Sequence, residues 1–550
     1  VGPLPALAVA ASVSILLLSI DYVRAGDGTD AHLTVRAAGG MPAVPIITSI
    51  NVSNQAVYLR WRGFARPYQV LRSSNFVATG LAVAGSANWT VVGDGINTNF
   101  IKLAEDPHGA FFRVAGPSPH FAGSDQCYDC HSGIVTNEQM TTHAGALQTL
   151  KNIHMDKNPS CLPCHTVGYG LPTGYDANLR PYLGGVQCEN CHGPAGDHAA
   201  NPADFSVKPP VDIAATVCGG CHTGAHQPNY DEWATSAHAA VTEVVAEEMA
   251  GSSFFITSCG ACHSGSVRMA LLKGQSLPSG QESGAIGVTC VTCHDPHVKT
   301  ASGAQLRSPT FSTNFFSYNT SVAFSTQYNP SIQACAQCHN ARGAAWPDTS
   351  RPPHYSPQYN ILLGNIGVLT NATYTNNVVP PTAMAPHWMI TNQCAHCHMQ
   401  TREVAQPTSA NPNVTGHSFS VNFFDACYQC HISPEDTMET VQFYINDRIN
   451  TVKSKLDTWA ATKAPLVLRT NYAALAWEYN TPGELSNPTG DPAIVGPTST
   501  EQTNVPNNIK QARFNLYLVL HDGSFGVHNA FYAQYLLDIA EGKLDEELTK

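Results

Sequence analysis

From Met438 to Trp459 the apolar positions recur every third or fourth residue: Met438, Val441, Ile445, Ile449, Val452, Leu456 and Trp459. That stripe predicts one long amphipathic helix. Ser433-Pro434-Glu435-Asp436, just ahead of it, has the make-up of a helix start, with Ser as N-cap, Pro at the first position and two acids in the first turn. Residues 464–506 are rich in Pro, Thr and Asn and read as a wrapping loop. A second helix is predicted from about Asn508 to Leu520, broken at Asp522-Gly523, and a third from about Ala530 to Ala540. Residues 432–550 therefore read as a C-terminal helical region.

Near the other end the pattern changes to short β-rich runs: Val57–Trp61, Tyr68–Arg72, Trp89–Val92, Phe100–Leu103 and Phe111–Val114. Turn clusters such as Gly93-Asp94-Gly95 separate them. Residues 43–117 are expected to form a small all-β domain whose spacing resembles an immunoglobulin-like or fibronectin type III sandwich. It has no cysteine and one histidine, His108. Residues 1–25 carry an apolar run from Leu4 to Ile20 and end in Val23-Arg24-Ala25. They read as a secretory signal peptide cut before Gly26, or else as an uncleaved membrane anchor. With cleavage, the mature chain has no membrane span.

The stretch 118–431 shows no useful period, and composition decides its character. Charged residues make up 12% of the 550, which excludes a disordered chain, and the net charge of −12 has the wrong sign for nucleic acid. All 18 cysteines fall in nine copies of C-x-x-C-H, a c-type haem attachment signal. The first three are Cys127, Cys130 and His131; Cys161, Cys164 and His165; and Cys188, Cys191 and His192. The next three are Cys218, Cys221 and His222; Cys259, Cys262 and His263; and Cys290, Cys293 and His294. The last three are Cys335, Cys338 and His339; Cys394, Cys397 and His398; and Cys427, Cys430 and His431. The thiols add to the two vinyl groups of one haem, and the histidine reaches its iron from the proximal side. Zinc ribbons also use C-x-x-C, but zinc does not call for a histidine after every pair. Nine haem c groups are expected, with the polypeptide wrapped round a haem core as short helices and coil. No cysteine is left over for a disulfide. Attachment after export places this region outside the cytoplasm: in the periplasm, at the cell surface or beyond it.

Nine of the 24 histidines are thus proximal, leaving 15 to supply distal ligands. His120, His143, His198, His238, His297, His417 and His528 stand in the strongest contexts, among them CHGPAGDH, CHDPH and GVHNAFY. His154, His226, His354 and His387 form a second group, while His32, His108, His396 and His521 read as bystanders. No catalytic residue stands out.

CENCHGPAGDH at Cys188–His198, CGGCHTGAHQPNYDEWATSAHA at Cys218–Ala239 and CAHCHM at Cys394–Met399 resemble the multihaem cytochrome c superfamily. HNAFYAQYLL is similar to the C-terminal helices of its nitrite reductases and octahaem hydroxylamine oxidoreductases. The resemblance implies a mainly α protein with much irregular coil, carrying electrons along closely spaced haems, with redox proteins or identical subunits as partners. Polymerisation into an extracellular filament is one variant. The alternative it implies is an oxidoreductase with one open iron, acting on nitrite, hydroxylamine, tetrathionate or a similar compound. The C-x-x-C-K that marks the catalytic haem of many nitrite reductases does not occur here.

Overall fold

The computed structural model describes residues 119–300, 304–307, 334–340, 351–364, 366–368 and 386–550, together with seven strands between 32 and 115. The expected leader at 1–25, Trp89 and His108 lie outside the described residues. Two compact units divide the chain, one made of Val1–Gln305 and Thr401–Ser418, the other of Leu306–Gln400 and Phe419–Lys550. Beyond the strands the described elements are helical or irregular, so the protein is mainly α.

In the first unit the strands form two antiparallel sheets. β1 (His32–Thr34), β2 (Ile46–Ser53), β3 (Ala56–Arg62) and β6 (Phe100–Ala104) make one, in that spatial order. β5 (Thr90–Ile96), β4 (Tyr68–Ser73) and β7 (Phe111–Ala115) make the other. Val57 and Leu59 of β3, two residues apart and so on one face, are buried in a cluster with Val70 of β4. Ile101 and Leu103 of β6 pack against it, so both sheets feed one apolar layer. The β2 strand, IITSINVS, was not expected; a register shift between Ile47 and Ser49 breaks its alternation.

After α1 (Ser124–Gln139) and α2 (Ala146–Asn152) this unit consists mostly of short helices and turns. Its apolar clusters are small. One gathers Phe121, Leu147, Leu150, Leu162, Val167, Tyr175 and Leu183; another gathers Met249, Ile256 and Val267.

The second unit owns the large apolar core. α3 (Pro434–Thr462) buries Ile445, Ile449, Val452, Leu456 and Trp459 of the expected stripe, while Met438 and Val441 at its start are half-buried. Its start differs in one detail. The Ser433 hydroxyl makes no cap bond; instead the Ser433 carbonyl accepts from the Thr437 amide at 3.0 Å and its hydroxyl at 2.7 Å. α4 (Asn507–His521) and α5 (Ala530–Thr549) complete the bundle. α5 runs nine residues past the expected end, because α3 reaches its polar tail. Arg448 pairs with Asp538 at 2.8 Å and with Glu541, and Lys455 with Asp545 at 2.7 Å.

The stretch expected to be a wrapping loop does more than wrap. It contains a helix at Leu466–Tyr472 and drives Trp477, Glu478 and Tyr479 into the core. There the Arg513 guanidinium donates to the Trp477 and Glu478 carbonyls and to Gln502, and lies 4.0 Å from the Tyr479 ring centre. Among the described residues no helix is long and apolar enough to cross a membrane.

Candidate haem-binding sites

Each C-x-x-C-H is wound into a single turn. The histidine amide donates to the carbonyl of the first cysteine in His222→Cys218, His263→Cys259, His294→Cys290, His339→Cys335 and His431→Cys427, all at 2.9–3.0 Å. Positions i, i+3 and i+4 of such a turn share one face. Both thiols and the imidazole therefore address the same space, as attachment to one porphyrin requires. In α1 the helix breaks its geometry at His131 (φ −119°, ψ 32°), just behind the thiols.

The second cysteine of each motif follows the same winding. Its amide donates to the carbonyl of the first in Cys164→Cys161, Cys221→Cys218, Cys262→Cys259, Cys338→Cys335 and Cys430→Cys427, at 3.0–3.2 Å. Cys130 lies within α1, and Cys191 and Cys293 within the short helices Cys188–His192 and Cys290–Cys293. Cys130, Cys191 and Cys430 are exposed, whereas Cys164, Cys221, Cys262, Cys293, Cys338 and Cys397 are half-buried. None of the 18 cysteines is joined in a disulfide. Among the described residues no three His, Cys, Asp or Glu side chains close on a single point as a zinc site would need.

The described residues set five motif imidazoles opposite five others. Ring centres are 6.0 Å apart for His222 and His143, 5.9 Å for His192 and His297, and 6.3 Å for His294 and His417. The separation is 6.1 Å both for His431 with His387 and for His398 with His528. A metal–imidazole bond of about 2.0–2.1 Å, with the ring centre about 1.1 Å further on, puts two imidazoles sharing a metal about 6.2 Å apart. The contrast with a true stack is plain. Tyr355 and His521 lie 3.8 Å apart at 21°, whereas the His192 and His297 planes differ by 5° at 5.9 Å, too far for face contact.

Second contacts fix which nitrogen faces inward. Nδ1 donates to a backbone carbonyl in His165 (Ala146), His192 (Pro210), His294 (Ala304), His398 (Phe419) and His387 (Val527), at 2.7–3.0 Å. That leaves Nε2 for a metal, the usual arrangement of a ligating histidine. His528 donates instead to the Asp522 carboxylate at 2.7 Å, and His120 to Asp197 at 3.1 Å. Burial holds His143, His387, His398 and His417 below the ordinary imidazole range, and His222 down to about 4, the neighbouring His143, His417 and His294 adding to the effect. All are neutral at pH 7 and able to ligate.

The other candidates have varied surroundings. The His354 Nδ1 meets the Ser356 hydroxyl at 3.0 Å. His198 keeps a buried Nδ1 without a hydrogen-bond partner, His154 takes a left-handed φ of 58°, and His238 lies in a short turn at Ala237–Ala239. His226 is exposed, its carbonyl taken by Asn413. His396 sits in the Gln393–His398 helix, between the two thiols of its motif. Both nitrogens of His521 are engaged, by the Pro353 carbonyl at 2.6 Å and by Glu484 at 3.0 Å. His32 lies on β1.

Thiols from different motifs also meet. Cys127 and Cys188 lie within hydrogen-bonding reach, as do Cys218 with Cys290 and Cys335 with Cys394. As free thiols the first two share a proton, which holds Cys188 down to about 6 and pushes Cys127 far up. These contacts, joining motifs distant in sequence, carried no signal in the chain itself.

Repeated thiol–thiol–imidazole turns with imidazoles set opposite them define a protein that holds several c-type haems. Residues 126–193 match the model of the family described as cytochrome c554 and c-prime. Cytochrome c-554 of Nitrosomonas europaea is 33% identical over 141 residues, 20% of this chain and 60% of that protein. Multiheme cytochrome MtrA of Shewanella baltica is 27% identical over 159 residues, 25% of this chain and 45% of that one. The chain thus spans about half the length of these relatives. Among solved structures, the outer cell wall cytochrome OcwA has 18% identity and a TM-score of 0.45, covering 77% of this chain and 99% of that one. An undecahaem cytochrome from the S-layer of Carboxydothermus ferrireducens has 21% identity and a TM-score of 0.46, covering 78% and 70%. The chain is a multihaem c-type cytochrome.

Proposed function

We propose that the chain carries nine haem c groups and conducts electrons between them outside the cytoplasm. The five opposed imidazole pairs carry this reading. In each, a motif histidine is the proximal ligand and a histidine from elsewhere the distal one: His192 with His297, His222 with His143, His294 with His417, His398 with His528 and His431 with His387. His120, His154, His198, His226, His238 and His354 are the pool for the remaining four irons. Haem supplies a one-electron Fe(III)/Fe(II) couple. Two imidazoles would hold each such iron from either side, which suits electron transfer rather than substrate chemistry.

The same contacts support an order of haems in space. In the first unit, the Cys127–Cys188 contact joins motif 1 to motif 3. CHDPH joins 3 to 6, since His294 is proximal on one iron and His297 distal on the other. The Cys218–Cys290 contact joins 6 to 4. In the second unit, Cys335–Cys394 joins 7 to 8, and Cys397 feels the Cys427 thiol of motif 9. The proposed runs are 1–3–6–4 and 7–8–9, neither a simple reading of the first unit's sequence nor a count of isolated centres. Residues 43–117 act as a haem-free docking module, 118–431 as the haem domain and 432–550 as its helical support. A removable leader at 1–25 accounts for export. Redox proteins or further copies of this chain are the partners.

Adding carbon monoxide to the dithionite-reduced protein tests the reading. Nine six-coordinate haems predict an unchanged spectrum. Binding at one iron per chain would instead support the open-site oxidoreductase.

A further inference from the structure

We infer that Asp522 makes the haem of Cys394, Cys397 and His398 the lowest-potential centre of those whose ligand contacts are described, by giving its distal ligand His528 imidazolate character. This rests on the pairing of His398 with His528 proposed above.

The distinguishing feature is the acceptor behind the ligand. His165, His192, His294, His387 and His398 donate Nδ1–H to neutral backbone carbonyls. His528 donates to a carboxylate at 2.7 Å, and that Asp522 side chain is 2% exposed. His120 also has a carboxylate, but Asp197 is 58% exposed, where water screens it. An anionic acceptor draws the Nδ1 proton further off the ring and enriches Nε2, so the ligand stabilises ferric iron over ferrous. The buried negative charge acts in the same direction through space.

The arrangement is built into the fold. Asp522 caps the end of α4, its amide bonded to the Leu518 carbonyl at 3.1 Å. Gly523 (φ 72°) then turns the chain so that His528 comes back over Asp522. The Ser524 hydroxyl donates to the second Asp522 oxygen and accepts the His528 amide at 3.1 Å, clamping both residues. Reduction of this iron takes one electron from the electrode or from a neighbouring haem, with no bond made or broken.

Spectroelectrochemical titration of the full holoprotein tests the inference. With Asp522→Asn, which keeps size and an acceptor oxygen, one low-potential step should move upward by tenfold or more in its Fe(III)/Fe(II) constant, about 59 mV for one electron. Asp522→Glu should restore most of the shift, and Ser524→Ala, which loosens the clamp but keeps the charge, should move it far less. An Asp522→Asn curve superimposable on the native one would overturn the inference, as would an equal shift in Ser524→Ala. His528→Ala separates the two readings. Loss of one low-spin signal upholds the ligand pair whatever Asp522 does; an unchanged signal sinks the pair and this inference with it.

Discussion

His417, proposed above as a distal ligand, is positioned one contact at a time. Its Nδ1 meets the Thr415 carbonyl at 3.1 Å and its amide donates to Glu232 at 2.7 Å, so the ring is fixed toward His294. Replacing it, as His417→Ala, should turn one low-spin ferric signal in the electron paramagnetic resonance spectrum high-spin and leave the rest. His396→Ala and His521→Ala should change none. The turns of C-x-x-C-H were legible because the motif writes two thiols and an imidazole into five residues. Which other histidine each proposed proximal ligand would meet was legible only as a pool, since His143 and His222 are joined by folding and not by spacing. Glu484 gives a second residue-level outcome. Burial opposes its ionisation, but His521 and Tyr355 donate to it and hold its carboxyl below the ordinary 4.5. A depressed carboxyl stabilises the fold above the ordinary value and loses that contribution as pH falls through the folded one. The stability gap between the native protein and Glu484→Gln, read by denaturant melts, should therefore be full at pH 7 and shrink below about pH 4.5.

At the scale of elements, the three long helices show what a period can and cannot reveal. The stripe from Ile445 to Trp459 was readable because each member faces one core. The end of α5 was not, because its last turns are held by charges on α3 that no local pattern records. The 464–506 stretch misled for a related reason. Its Pro, Thr and Asn content describes its path, whereas Trp477, Tyr479 and the Arg513 network decide its role. Arg513 is fully buried, with its guanidinium spent on that segment. Arg513→Ala leaves the Trp477 and Glu478 carbonyls without this donor and the buried Glu478 carboxyl without the nearby positive charge. The change should cost about 1–3 kcal/mol for each buried acceptor left orphaned, read as a lower melting temperature of the second unit. The strands tell the opposite story: short alternating runs located β3, β4, β6 and β7 within a residue or two, while the bulged β2 escaped notice.

For the whole molecule, the proposed haems would stand in for much of the ordinary core. The first unit has six motifs and small apolar clusters, the second three motifs and a large helical core. Removing the haems should therefore unfold the first unit first, visible as its earlier loss of protection in hydrogen exchange. The net charge of −12, made more negative by the haem propionates, favours partners with a basic face, and docking should weaken as salt is added. If every iron is a six-coordinate carrier, near-infrared magnetic circular dichroism of the fully oxidised protein, scaled to chain concentration, should show the intensity of nine bis-histidine ferric haems per chain. Fewer than nine, with high-spin features making up the difference, would show at least one open iron.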